Sequence, residues 1–178
     1  MKINKKLILD EISLFNKKAN YLPQKKDIEI LKKIKAIWVI SGSGSYYKPL
    51  TDVASDQLNK KHLWYHGTDK ARLKYAERWL LGYKKLLPKS PAPILIYNGV
   101  PEQNKVLLDA SEKNLFKIPL KQIYFAPGEI IRTIDQVKKF SFPPDLDLKD
   151  GYLGVVTHVP HLNRTLIFMA NHPKIVQT

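Results

Sequence analysis

The residues of this chain best suited to chemistry are His158, His161 and Arg164, in the stretch THVPHLNRT (157–165). An imidazole titrates near neutral pH and can move protons. A guanidinium is permanently charged and grips phosphate or carboxylate through two parallel hydrogen bonds. The cluster follows the apolar run YLGVV, with Thr157 where a strand gives way to a helix. His161 and Arg164 are three apart and share a helix face. Pro160 suits the first turn of that helix, whose unpaired amides favour an anion. The chemistry this implies is the holding of an anion or polar substrate, with His161 as the proton-transfer group and Arg164 and Arg72 stabilising charge. A surface or structural role is the plain alternative. Zinc is the weaker reading, because no carboxylate sits at ligand spacing.

A second candidate is SGSGS (41–45). Ser41, Gly42, Ser43 and Gly44 can cradle an anion with backbone N–H groups and hydroxyls. The stretch lacks the third glycine of a dinucleotide fingerprint and the lysine of a P-loop, so a flexible turn remains the competing reading. Arg72 is expected in the first turn of a helix, where a cation opposes the helix dipole and calls for an anionic partner, either Asp69 or a ligand. Gly99, in the Asn-Gly pair after a buried strand, allows either close backbone approach or a simple turn. Thr133 and Asp135 fall early in a helix over EIIRTIDQV, and Thr133 can equally bond back to a carbonyl of its own helix.

The elements that position these residues follow from apolar spacing. Residues 3–19 predict an amphipathic helix, and KKDIEILKKI a second short one. AIWVI (36–40) is a dense run of strand formers, too short for a helix. Residues 46–66 show no period and predict a long loop, of the kind that often forms a lid. A helix runs from Asp69, with Thr68 or Asp69 as its cap, until Pro88 stops it. Three strand–helix units follow: strands at 92–99, 121–126 and 151–157, helices at 103–116, 129–140 and 160–171. PKIVQT (173–178) reads as a last short strand. The alternation predicts an α/β, Rossmann-like, doubly wound three-layer fold with a mainly parallel sheet. Residues 1–35 are expected as a helical extension on a single domain whose core is 36–178. In such a fold strand one lies beside strand four, which brings SGSGS and THVPH to one crevice.

Composition bounds the partners. The 178 residues include no cysteine, which excludes disulfides and thiolate chemistry. Asp10 and Glu11 interrupt the early apolar run, so neither a signal peptide nor a membrane span is expected and the cytoplasm is the predicted location. A formal charge of +14 raises nucleic acid as a partner. Nearly all of it is lysine, spread as pairs; the arginines are Arg72, Arg78, Arg132 and Arg164. That pattern predicts a solvated basic surface and no specific nucleic-acid site, leaving non-specific association as a further reading.

The succession IWVISGSG, DKARLKYA, ILIYNG, IPLKQIYFAPGEIIRTIDQV and GVVTHVPHLNRTL resembles the YdcF/SanA/ElyC-like family, the domain of unknown function 218. The resemblance covers about residues 36–172 and is closest to the soluble YdcF-like branch. It implies a Rossmann-like domain with a polar site at the carboxyl edge of the sheet, links to the cell envelope, and a small anionic or nucleotide-like ligand, S-adenosylmethionine among the cofactors proposed for that branch. A phosphoryl-transfer or hydrolytic activity is one expectation; a non-catalytic interaction module that kept the fold is the other. By position, Gly42 and Gly44 match the first glycine loop, Arg72 the helix arginine and Gly99 the second-strand glycine. Thr133 matches a motif threonine, and Thr157, His161 and Arg164 match the last unit. The motif at 132–136 departs from the family's, with Arg132 for asparagine and Asp135 for glutamate. The glutamate expected near Asn104-Lys105 is replaced, with Glu102 the nearby acid able to stand in.

Overall fold

In the computed structural model, which describes residues 21–41, 68–126, 133–146, 151–157 and 159–170, the chain passes from a 3-10 turn (Lys25–Asp27) into helix α1 (Ile28–Lys33). Strand β1 (Ile34–Val39) follows with no connecting residue. Ile34, at φ −74° and ψ 115°, is the point of change, and its β-branched side chain suits the extended side of that boundary. The strand therefore begins earlier than the apolar run AIWVI suggests. Helix α2 (Thr68–Leu86), strand β2 (Ile94–Tyr97), helix α3 (Pro101–Glu112), strand β3 (Ile123–Phe125), helix α4 (Thr133–Lys138), strand β4 (Tyr152–Val156) and helix α5 (Val159–Ala170) complete the order.

The strands form one sheet in the order β3-β2-β1-β4, with every neighbouring pair parallel. Trp38 pairs with Val155 and Val39 with Val156, so the first strand does lie beside the fourth. The fold is α/β and Rossmann-like. Side chains alternate across a strand, which sorts the core onto two faces. Ile37, Val39, Leu95 and Tyr97 pack with Leu73, Ala76 and Leu80 of α2 and Leu107 and Ala110 of α3. Ala36, Trp38, Ile40 and Ile96 pack with Val137 of α4, Phe140, and Phe168 and Met169 of α5. Trp38 lies 4.3 Å from Phe140, ring centroid to centroid. Burying each such large apolar side chain contributes about 1.5–3 kcal/mol. Helices thus cover both sides of the sheet, and the winding reverses between β1 and β4.

Element ends differ from the sequence expectation for local reasons. Thr68 is already helical in α2, so neither it nor Asp69 caps that helix. Helix α3 begins on Pro101, whose fixed φ suits a first helical position, and ends sooner than Phe116. Asn114 adopts a left-handed φ of 55°. Leu115 N donates to Ala110 O at 2.8 Å and Asn114 N to Ser111 O at 3.1 Å. This paired arrangement satisfies the last carbonyls of the helix and turns the chain away. A 3-10 turn (Leu120–Gln122) takes the start of the run expected as the third strand. The helix expected over 3–19, the loop over 46–66 and the strand over 173–178 lie outside the described residues. Among the described residues no helix is long and apolar enough to cross a membrane.

Candidate functional site

At the carboxyl end of β1, Ile40 and Ser41 are held from every side. Ile40 N donates to Val156 O on β4 at 3.1 Å. Arg72, buried on α2, donates from Nη1 to Ile40 O at 2.5 Å. Ser41 Oγ donates to Asn98 O, just past β2, at 2.9 Å. From the opposite face of the sheet, Gln136 of α4 donates through Nε2 to Ser41 O at 3.0 Å and to Ser41 Oγ at 2.5 Å. Asn98 closes the ring: its Oδ1 accepts from Trp38 Nε1 at 2.9 Å, and its Nδ2 donates to Gln136 O at 3.2 Å.

Chemistry sets the orientation of both amides. Trp38 Nε1 is a donor only, so Asn98 must present oxygen to it. Ser41 O is an acceptor only, so Gln136 must present nitrogen. Ser41, Asn98 and Gln136 are all buried, where fully satisfied polar networks rigidify their surroundings. The network fixes the chain at Ile40 and Ser41, past the end of β1. Among the described residues, Gln136 Oε1 and Thr157 Oγ1 are buried with no hydrogen-bond partner. Thr157 directly follows Val156, the residue bonded to Ile40. Gln136 reaches Ser41 past the end of β1, and Thr157 stands past the end of the neighbouring β4.

The sequence candidates fall into three groups. Ser41, Arg72 and Thr157 come together at the ends of β1 and β4. Arg72 lies in the second turn of α2 rather than the first, and a strand-end carbonyl receives its guanidinium. Gly99 and Asp135 are close by in the fold, and Gly99 is engaged locally. A Cβ on Gly99 would stand 2.7 Å from Tyr97 Cε1 and 2.8 Å from Gln103 Cβ, so packing within the chain accounts for the glycine. Its N–H is taken by Asn104 Oδ1 at 3.2 Å, and that of Val100 by Gln103 Oε1 at 2.8 Å. Asp135 is half-buried on α4. Arg164 is exposed on α5. The remaining candidates, Gly42, Ser43, Gly44, His158 and the side chains of Glu102, Thr133 and His161, lie outside the described residues, as does the side chain of Asp69. Among the described residues no group of three His, Cys, Asp or Glu is placed to hold a metal.

Sequence reasoning missed Asn98, Gln136 and Trp38. One signal was present: β1, β2 and β4 are each followed within two residues by a polar residue, Ser41, Asn98 and Thr157, at the sheet edge where doubly wound folds hold ligands. Compared with protein-family models, curated proteins and solved structures, the chain gives no match.

Proposed function

We propose that the chain binds a small anionic or nucleotide-like molecule at the carboxyl edge of the sheet between β1 and β4. The observation that carries this reading is the adjacency of those two strands, because winding reverses there and opens a crevice outside the strand ends. The immobilised Ile40–Ser41 end supports it, since a preorganised first contact lowers the cost of binding. The resemblance to the YdcF/SanA/ElyC-like family supports the same edge, and the cytoplasm is the proposed location. In this reading the amides of residues 42–44, His161 and Arg164 hold the anion. Phosphoryl transfer or hydrolysis is the proposed chemistry, with His161 moving the proton.

A second reading, an interaction module without catalysis, is favoured by one observation. The donors of Gln136 Nε2, and one from Arg72, are spent on the protein's own strand ends rather than held open.

The test is a thermal-shift screen with nucleotides, sugar phosphates and S-adenosylmethionine, because a ligand of the folded state raises the melting temperature. At least one probe is expected to stabilise the protein. His161→Ala and Arg164→Ala are expected to remove that gain and leave the melting temperature of the ligand-free protein unchanged. Loss of folding with undiminished ligand affinity would show these residues to be structural.

A further inference from the structure

We infer that the ligand of this edge presents a hydrogen-bond donor, an amino or hydroxyl hydrogen, to Gln136 Oε1 and the Thr157 hydroxyl. The site would then take a polar organic molecule such as a nucleoside or sugar phosphate rather than a bare anion. This rests on the reading of the β1–β4 edge as a ligand site, and adds what the ligand must carry.

The starting point is the Gln136 amide. Its nitrogen bonds Ser41 O and Ser41 Oγ, and turning the amide over would set oxygen against the Ser41 carbonyl. Oε1 is therefore locked on the other edge of the amide, with both lone pairs unused, in a residue only 3% exposed. Folded proteins pair nearly all buried polar atoms, and the exceptions call for a ligand, an ordered water or a functional role.

Thr157 supplies the second exception, at the end of the strand that Ile40 bonds. Thr165 on α5 supplies a third: it is fully buried, yet its hydroxyl lacks even the bond back to its own helix that a helical threonine usually makes. Helices α4 and α5 pack against each other, so the elements carrying Gln136 and Thr165 are neighbours. Ser111 Oγ, near the far end of α3, is a separate instance.

The chemistry of these atoms selects the ligand. A carbonyl oxygen repels the oxygens of phosphate or carboxylate and attracts N–H or O–H. The anion must then be held elsewhere in the crevice, and the portion lying against Gln136 must be an uncharged donor.

Any substitution of Gln136 also cuts its bonds to Ser41, so the donor is varied on the ligand and the acceptor at Thr157. Calorimetric titrations of AMP, ribose 5-phosphate and sulfate, an anion with no donor hydrogen, are run at one ionic strength on the wild type, Thr157→Val and Thr157→Ser. At least one organic phosphate is expected to bind tenfold or more tighter than sulfate. Thr157→Val should weaken that ligand by roughly three- to tenfold, as for one lost hydrogen bond. Thr157→Ser should retain it. The melting temperature of ligand-free Thr157→Val should not fall, since the hydroxyl removed had no partner. Equal affinity for sulfate overturns the donor requirement and leaves the ligand site standing. Unchanged affinity of Thr157→Val with a lowered melting temperature makes the hydroxyl structural and also overturns the inference. Failure of all three probes to bind removes both readings.

Discussion

Asn98 shows how much one side chain can organise. It receives the Trp38 indole N–H, donates to the Gln136 carbonyl, and through its own carbonyl receives the Ser41 hydroxyl. Asn98→Ala leaves a buried indole donor and a buried carbonyl without partners, each costing about 1–3 kcal/mol. The expected loss is about 2–6 kcal/mol, read as a lower denaturant midpoint at unchanged slope. The residue is unremarkable in the sequence, where Asn98-Gly99 reads as a turn. Its partners explain why. Trp38 lies 60 positions away, and the Ser41–Gln136 bonds span 95. Local pattern cannot anticipate pairings that exist only once parallel strands are in register. Ser41 and Thr157 were legible because each ends an apolar run, a property of adjacent residues alone.

Among the elements, α1 and the residues before it are tied to α2 by a short polar staple. The Tyr75 hydroxyl donates to the Tyr21 carbonyl, and the Tyr21 hydroxyl donates to Asp27 Oδ2 at 2.6 Å. Gln24 N donates to the same oxygen at 2.8 Å. The bond from Tyr21 holds the Asp27 carboxyl below its ordinary pKa of 3.8. Stability from this group is therefore present above that value and lost as pH falls through the depressed one. The same bond raises the Tyr21 phenol above 10.0, so its contribution is present below 10 and lost as pH rises through the raised value. Asp27→Asn is expected to flatten the acid arm of the stability profile relative to wild type, measured as denaturant midpoint from neutrality to below about pH 4. Strand and helix alternation was legible from apolar spacing, and so was the pairing of the first and fourth strands. The ends were not. They depend on Pro101, on the left-handed Asn114 and on the direct passage from Lys33 to Ile34, which are single-residue backbone decisions that periodicity averages away.

For the molecule as a whole, the charge of +14 is the most conspicuous property and the least informative about the strand-end site. Lysine scattered in pairs attracts any polyanion by releasing its counterions, so affinity should fall as a power of salt concentration. Titration of single- and double-stranded DNA at about 50 and 200 mM salt, the range over which phosphate contacts are lost, should give weak, sequence-indifferent binding that fades at the higher salt. Arg164→Ala should change it little. Binding that persists at the higher salt and prefers one sequence would instead place a nucleic-acid site on this chain.

The seamless junction of α1 with β1 has a mechanical corollary. No slack separates Lys33 from Ile34, so tension applied before α1 reaches the inner strand once that helix is taut. Strand β1 is flanked on both sides by parallel partners. A pull between the start of β1 and the end of β4 drags these parallel neighbours past each other lengthwise, loading their hydrogen bonds together rather than opening them singly. Along that axis the domain is built to resist extension, and a mechanical unfoldase gripping it there meets the sheet at its strongest.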